Sequence, residues 1–510
     1  MAPAIELIGI DKSFGAVHAV RGVSISVEGG TITGIVGENG AGKSTLMSVL
    51  YGLYDADAGE IRIDGRPVRI TGPNDAIAQG IGMVHQHFML VETFTVLENV
   101  VLGAEGGALL GAGLARARAE LERLARDYGL AVDPDARVAD LSVGEQQRVE
   151  ILKVLYRGAR ILILDEPSAV LTPQETDRLF RILRTLRERG VTIVLITHKL
   201  REIMAATDRV FVMRQGAIVA VRLTAETDPD ELAELMVGRK VRLRLDKAPA
   251  RPGAVLVEAE GLSLVDRRGV RLLDDVDLQV RAGEIVGIAG VSGNGQTELL
   301  QVLSGIRRPT GGRATLCGRT IDARHPCDPA EMRALGVAHV PEDRQRQGMV
   351  AAFPARETAI LGYQFQPPFS HHHLMDGPAV GRHCAALMER FDVRPRAPGL
   401  RSASFSGGNQ QKLVLAREMA PTPRVLLVGQ PTRGVDIGAI EFIHRELLAC
   451  RDRGCAVLVV SAELDEILAL ADRVIVMFAG RIAGEMPVAR ADERTLGLMM
   501  AGAHAEGATA

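Results

Sequence analysis

ITGIVGENGAGKSTLMSVLYG (32–52) opens on an apolar run, passes through a glycine-rich loop and continues into a stretch with helical spacing. Within it, residues 37–45 read GENGAGKST, the spacing G-x-x-x-x-G-K-[ST]. A strand that turns tightly into a helix leaves unpaired backbone N–H groups at the helix start, and an anion fits there. The glycines let the backbone wrap phosphates, Lys43 adds a point charge, and the Ser44 hydroxyl can ligand magnesium. Gly37, Glu38, Asn39, Gly40, Ala41, Gly42, Lys43, Ser44 and Thr45 are therefore the expected ATP-binding loop, with Mg2+ as its companion ion.

Downstream, ILILDE (161–166) is an apolar run ending in two acids, as expected of a buried parallel strand that delivers carboxylates at its C-terminal end. Asp165 would hold the magnesium shell and Glu166 would act as general base toward water. Both features recur in altered form. The loop stretch is echoed by IVGIAGVSGNGQTELLQVLSG (285–305), LSVGEQQRVEILK (141–153) by FSGGNQQKLVLAR (405–417), ILILDEP (161–167) by VLLVGQP (425–431), and DRVFVMRQGAIVA (208–220) by DRVIVMFAGRIAG (472–484). The chain is thus an internal duplication. Residues 1–240 form a first domain, the charged, Pro-containing 241–256 a linker, 257–500 a second domain, and 501–510 a frayed tail. Each copy alternates short β-branched runs with helical stretches, the pattern of an α/β fold with a mostly parallel sheet. Between Gly103 and Asp140, and again between about Phe353 and Ser404, the Ala/Leu/Arg-rich pattern predicts an inserted helical subdomain.

Composition narrows the function. The 510 residues are 47% hydrophobic and 24% charged, enough for sizeable cores, and the net charge of −3 argues against a dedicated nucleic-acid binder. Aromatics are 3% with no Trp, leaving little to stack on bases or sugars. Cys317, Cys327, Cys384, Cys450 and Cys455 are odd in number and lack C-x-x-C spacing, which fits a reducing cytosol without a disulfide framework or a zinc site. The opening residues lack a signal-peptide pattern, and VTIVLIT (191–197) and AVLVVSA (456–462) are strand-sized, far short of the ~20 residues a bilayer span needs.

LSVGEQQ and FSGGNQQ are Ser-Gly turns opening helices, a second kind of anion site. With these turns in place, the chain resembles ATP-binding cassette (ABC) ATPases over almost its whole length, with two cassettes fused. The resemblance implies two tandem P-loop cassettes, each a mixed sheet core with an antiparallel β region and a helical insert. It also implies a nucleotide sandwiched between the phosphate loop of one cassette and the signature turn of the other. Gln86, in GMVHQHF, matches the family's glutamine loop, which senses magnesium and faces the membrane partner; His198, in LITHK, matches its switch histidine. Phe14 matches the aromatic that stacks on adenine, an ordinary core position being the alternative.

The second copy departs at nearly every such position. GVSGNGQTE begins at Gly290 and places Gln296 where Lys43 stands, although Thr297 keeps the hydroxyl. Gly429 and Gln430 replace Asp165 and Glu166, Glu342 replaces Gln86, Ala462 replaces His198, and Arg267 replaces Phe14. The signature turns depart the other way round: Ser142-Val143-Gly144 carries a branched side chain where Ser406-Gly407-Gly408 is intact. Pairing the first loop with the second turn gathers Lys43, Ser44, Gln86, Asp165, Glu166 and His198 opposite Ser406, Gly407 and Gly408. The other pairing collects every defect, so one catalytic and one degenerate site are expected.

Fused cassettes with a degenerate second half resemble the simple-sugar import class, including ribose- and galactose-type systems. GMVHQHFMLVETFTVLENVVLG (82–103), GQPTRG (429–434) and IEFIH (440–444) look closest to its nucleoside-import branch. This implies an ATPase on the cytoplasmic face of the membrane, partnered by permease subunits and, indirectly, by an extracytoplasmic solute-binding protein. Contact with the transported solute or with nucleic acid is not expected. A soluble twin-cassette ATPase acting on ribosomes or DNA is the alternative; such proteins keep two competent sites and a long charged connector. His371, His372 and His373 are consecutive, cannot converge on a metal from one ordinary helix or strand, and read as a solvated loop. Met83, Met89 and Met204 read as core fillers. Asp436 either communicates across an interface, where Thr172 stands in the first copy, or is a turn residue. Phe88, Leu90 and Phe94 either meet a permease helix or pack inside their own cassette.

Overall fold

The structure, a computed structural model, describes residues 3–500 and 502, apart from 16, 86–87, 105–109, 169–170, 172, 241–246, 292, 373 and 436. Gln86, Thr172, His373, Asp436, the start of the expected linker and most of the expected tail lie outside the described residues. The chain divides into two compact units, Met1–Val241 and Arg242–Ala510.

The first unit is built on a six-stranded sheet. Its strands run in the order Ala217–Leu223, Arg209–Arg214, Ile32–Val36, Thr192–Ile196, Ile161–Asp165 and Ile81–Val84. All neighbours are parallel except the first pair. Ile32–Val36, Ile161–Asp165 and Thr192–Ile196 are buried along their whole length, which is why they read as unbroken apolar runs rather than as alternation. Beside them, Ile5–Phe14, Val17–Val27, Ala58–Ile63 and Arg66–Val68 make a four-stranded antiparallel sheet. One apolar layer joins that sheet to the helix Lys43–Leu50 through Ile10, Val20, Leu46, Met47 and Ile163. On the opposite face, Leu121, Leu124, Val149, Leu152, Leu164 and Leu183 form a second layer under the helical insert Leu110–Tyr128.

The second unit repeats this plan. Its six strands, Arg481–Pro487, Arg473–Phe478, Ile285–Ala289, Ala456–Ser461, Val425–Gly429 and Val337–Val340, follow the same order, and Val255–Val265 opens an equivalent four-stranded antiparallel sheet. Its insert differs from the expected helical one. Beside the helices Ala355–Thr358 and Gly377–Arg390 it holds a two-stranded hairpin, Ser370–His371 with Leu374–Met375. Pro367 and Pro368 precede that hairpin, and two missing N–H donors in a row exclude a continuous helix. His371 and His372 are exposed there. Met89 corrects another expectation: it is 63% exposed rather than a core filler, whereas Met83 is buried.

Candidate nucleotide sites

In the first unit the loop after Ile32–Val36 is shaped by close approaches of backbone. A Cβ at Gly37 would lie 2.2 Å from the Met213 carbonyl oxygen, and one at Gly42 would lie 2.3 Å from that of Ala19. Gly42 also caps the helix Lys43–Leu50 at φ 100° without a side-chain hydrogen bond, so the first-turn amides are left for a ligand. Lys43 is buried, and its Nζ donates to the carbonyls of Gly37 (2.8 Å) and Glu38 (3.0 Å). Burial pushes this ammonium below its usual range, against the pull of Glu166, Asp165 and Glu38. Thr45 continues the same turn of helix.

Asp165 ends its strand beside the loop, and the Ser44 hydroxyl donates to its Oδ1 at 3.3 Å. Burial raises the acid's pKa; the Ser44 bond opposes this and the neighbouring Glu166 charge adds to it. Glu166 follows in a left-handed conformation, φ 48°, with its N–H donating to the Ile196 carbonyl at 2.9 Å. That turn aims its carboxylate at His198, whose Nδ1 lies 2.8 Å from Oε1. Burial would raise the Glu166 pKa, yet the His198 hydrogen bond and the charges of His198, Lys43 and Lys199 outweigh it and hold the pKa down. An ionised carboxylate only accepts, so Nδ1 is the donor. A serine hydroxyl facing a buried carboxylate is an oxygen donor set that suits Mg2+. Among the described residues no group of three or more His, Cys, Asp or Glu could hold a metal ion.

Phe14 is 43% exposed at the end of its strand, edge-on to Tyr54 at 5.0 Å and 5.5 Å from the Lys12 ammonium. It is not a core residue.

The signature turns differ by more than Val143. The N–H and hydroxyl of Ser142 both donate to Glu145 Oε2, at 2.9 and 2.8 Å, and the Glu145 N–H donates back at 3.4 Å. This capping box brings its own carboxylate to the first unit's turn, and hydrogen bonds from Ser142 keep that acid's pKa low. In the second unit the corresponding residue is the neutral Asn409, whose Nδ2 donates to Ser406 Oγ at 2.8 Å, and Ser406 caps no helix amide. Arg344 braces that turn. It donates to the Arg433 carbonyl at 2.8 Å, and a Cβ at Gly407 would lie 2.6 Å from its Nη2. Glu145 and Arg344 were missed in the sequence; for Glu145 the S-x-x-E spacing was the available signal.

The second unit's loop keeps the shape without the charges. Gln296 donates to the Val291 carbonyl at 3.1 Å, where Lys43 bonds Gly37 and Glu38. Gln430 repeats the left-handed turn, φ 48°, and its Oε1 accepts from the Ala462 N–H at 3.2 Å in place of a histidine. Arg267 is exposed in a turn beyond the end of its strand. Glu342 hydrogen-bonds the Thr297 hydroxyl.

A further cavity of about 230 Å³ lies in the first unit between the edge strand Ile81–Val84 and the helix Val143–Tyr156, lined in part by His85, Met89, Glu150, Lys153 and Arg157. Met89 is fastened at its rim, its N–H donating to Glu150 at 2.5 Å and its carbonyl accepting from Lys153 at 2.8 Å. Leu90 packs against the apolar layer below, while Phe94 is exposed.

Two phosphate-loop units of one topology, each with its own signature turn, define a twin-cassette ATPase. The ABC transporter family model matches residues 20–169 and 273–433, and the chain belongs to that family of ATP-binding proteins. It is 46% identical to the nucleoside import ATP-binding protein NupA of Lactococcus lactis subsp. cremoris, over 98% of each chain. It is 45% identical to the guanosine import ATP-binding protein NupO of Bacillus subtilis, again over 98% of each. To the glucose import ATP-binding protein TsgD13 of Haloferax volcanii the identity is 43%, over 100% of this chain and 97% of that one. The archaeal ribosome recycling factor aABCE1, solved with a stalk protein, shares the fold at TM-score 0.60 and 19% identity, over 94% of this chain and 90% of that one. No helix among the described residues is long and apolar enough to cross a membrane.

Proposed function

We propose that this chain energises a membrane importer of nucleosides or simple sugars, hydrolysing ATP at one complete site made from the first unit's loop and the second unit's signature turn. The observation that carries this reading is the Glu166–His198 pair at 2.8 Å next to Ser44 and Asp165, against Gln430 on a backbone amide in the second unit. Lys43 and the amides of the helix starts would offset phosphate charge. Glu166, held ionised, would take the proton of the attacking water, and His198 would orient it and meet the terminal phosphate through Nε2. Mg2+, held by Ser44 with Asp165 in its shell, would supply charge neutralisation between the phosphates. The Ser406-Gly407-Gly408 turn would close the site, since it presents neutral donors where Ser142 is already matched by Glu145.

The cavity beside Met89 would receive a short cytoplasmic helix of a permease, so the solute never touches this chain. Relatives named for nucleoside and guanosine import favour a nucleoside as that solute, and the glucose relative makes a sugar the competing outcome. The test is the chain with its co-purifying permeases in vesicles, assayed for ATPase with guanosine, adenosine, ribose or glucose and the solute-binding protein. Stimulation by a nucleoside supports the reading. Stimulation by ribosomes and by no solute would replace it.

A further inference from the structure

The helix Ile437–Asp452 of the second unit ends in a Schellman turn that brings two thiols together. The Gly454 N–H donates to the Arg451 carbonyl at 2.8 Å and the Cys455 N–H to the Cys450 carbonyl at 3.3 Å, with Gly454 left-handed at φ 93°. Such a closure sets the side chains on either side of the turn against each other, and here both are cysteine, buried in one apolar layer. The first unit builds the same turn at the end of Pro173–Glu188. Its Gly190 N–H donates to the Arg187 carbonyl at 2.8 Å, its Val191 N–H to the Leu186 carbonyl at 3.0 Å, and Gly190 stands at φ 88°. There the residues at the two places are Leu186 and Val191, both in that unit's apolar layer.

The second unit therefore carries thiols at both halves of one apolar contact. Packing does not ask for this, since two cysteines fill less space than Leu and Val. The hydrogen bond from Cys455, with the Arg453 guanidinium, holds the Cys450 thiol below its usual range against the effect of burial; the same bond, with burial, raises Cys455. The cover over the pair is thin: Asp452, Arg453 and Gly454 are exposed, so fraying of the last helical turn opens both sulfurs. Between the cysteines stands the buried Arg451, which donates to the Ala248 carbonyl at 3.0 Å and pairs with Asp472 at 2.9 Å. The turn thus holds part of the linker onto the second unit.

We infer that Cys450 and Cys455 are a redox-active dithiol that a hydroperoxide closes to a disulfide, fixing the turn that anchors the linker. The direct backbone bond between the two residues suits the short Cα separation a disulfide needs. The Cys450 thiolate attacks one peroxide oxygen, so that an S–O bond forms and the O–O bond breaks, and the departing hydroxide takes up a proton as water. The Cys455 thiol then attacks that sulfur: the S–S bond forms, the S–O bond breaks, and the second oxygen leaves as water with the remaining protons. Two thiols and one hydrogen peroxide give one disulfide and two waters, the two electrons lost by sulfur being those the peroxide gains. Cytosolic thiols reverse the step by exchange.

The test treats the folded full chain, reduced and then freed of reductant, with hydrogen peroxide and maps its thiols by mass spectrometry. One new linkage is expected, Cys450 to Cys455, removed by dithiothreitol, with the buried Cys327 and Cys384 left free. Cys455→Ser should stop the sequence at the sulfenic acid, so that dimedone labels Cys450, and Cys450→Ser should leave Cys455 unlabelled. If the serine variants do not fold, the map of the unaltered chain carries the test. Trypsin cleavage after the exposed Arg251 should slow in the oxidised chain and recover with dithiothreitol. Peroxide should leave that cleavage unchanged in a chain carrying Cys450→Leu with Cys455→Val, which restores the contact of the first unit. A linkage that forms only in denaturant, or oxidation of Cys317 with Cys450 and Cys455 left as thiols, would overturn the dithiol. Dimedone on Cys455 instead of Cys450 would overturn the choice of attacking sulfur, and unchanged cleavage in a chain bearing the linkage would remove the linker from the proposal.

Discussion

Glu166→Gln separates chemistry from architecture at the first site, because the amide keeps an oxygen at the position that accepts from His198 Nδ1 while losing the basicity. Loss of a general base slows a reaction by ~10²–10⁴, which at 1.36 kcal/mol per decade is about 3–5 kcal/mol of barrier. On stability two small effects oppose. The charge-assisted bond to His198 becomes a neutral one, a loss of about 1 kcal/mol. The repulsion that helps raise the Asp165 pKa disappears, which returns part of it. The net change is within about 1 kcal/mol, or ~2–4 °C in Tm for a unit of this size. Phosphate release under saturating ATP should therefore fall at least 100-fold, with melting of the nucleotide-free chain nearly unmoved and ATP still raising Tm. A fall in turnover of less than about tenfold would show that Glu166 is not the base. A Tm loss well beyond ~4 °C would show that the Glu166–His198 pair is a brace whose removal distorts the site. The reciprocal change, Gln430→Glu, should not double turnover, since Gln296, Gly429 and Ala462 still lack the partners a base requires.

Ser406→Arg should abolish hydrolysis at the Lys43 loop, whereas Ser142→Arg should act mainly on nucleotide held at the second loop, read by nucleotide binding to the Glu166→Gln chain; equal loss of turnover from both would refute the head-to-tail pairing. Met89→Glu should leave Tm within ~2 °C while permease co-purification fails, because Met89 is exposed, and Leu90→Ser should instead lower Tm through lost packing, by about 1–3 kcal/mol. Asp165→Asn should raise the Tm of the nucleotide-free chain at neutral pH while metal-dependent nucleotide binding is lost. Its raised pKa means that the folded state binds the proton more tightly than the unfolded one. That contribution is present below the unfolded value of about 3.8 and is lost as pH rises through the folded value, so the gain from Asn appears on the neutral side. His339, its pKa pushed down to about 4 by burial, has the opposite sign: the second unit should lose stability as pH falls from about 6.5 toward 4, and His339→Gln should flatten that slope in pH-dependent melts.

The parts legible in the sequence are those whose chemistry fixes a local spacing. A phosphate loop needs glycines at set intervals between a strand and a helix, and a fully buried strand reads as an unbroken apolar run, so Ile32–Val36, Lys43–Leu50 and Ile161–Asp165 could be placed directly. The pairing of Thr297 with Glu342 has no such signature, because it joins the helix after Ile285–Ala289 to the chain beyond Val337–Val340, residues 45 apart whose strands are separated by two others in the sheet. Met89 sits in an apolar stretch that hydropathy alone assigns to a core. Only the tertiary arrangement shows its backbone tied to Glu150 and Lys153 with the side chain left outside. The second insert misled through composition: Ala and Leu favour helix, and the Pro-Pro pair that breaks it outweighs them locally.

The contact between Gly429 and the backbone of Glu342 bears on reversibility. A Cβ at Gly429 would sit 3.0 Å from the Glu342 nitrogen and 3.2 Å from its Cα and Cβ, so an aspartate restored there asks the chain beyond Val337–Val340 to give by a few tenths of an ångström. The intermediate bearing both acids would be overpacked and would crowd two like charges beside Thr297. The order of substitution therefore matters: a carboxylate at 429 is accommodated more easily once the chain at 342 has moved slightly aside. The substitutions at 296, 430 and 462 concern side chains alone, whereas this one is tied to where a neighbouring strand ends, even though the Gln430 backbone keeps the same left-handed turn as Glu166.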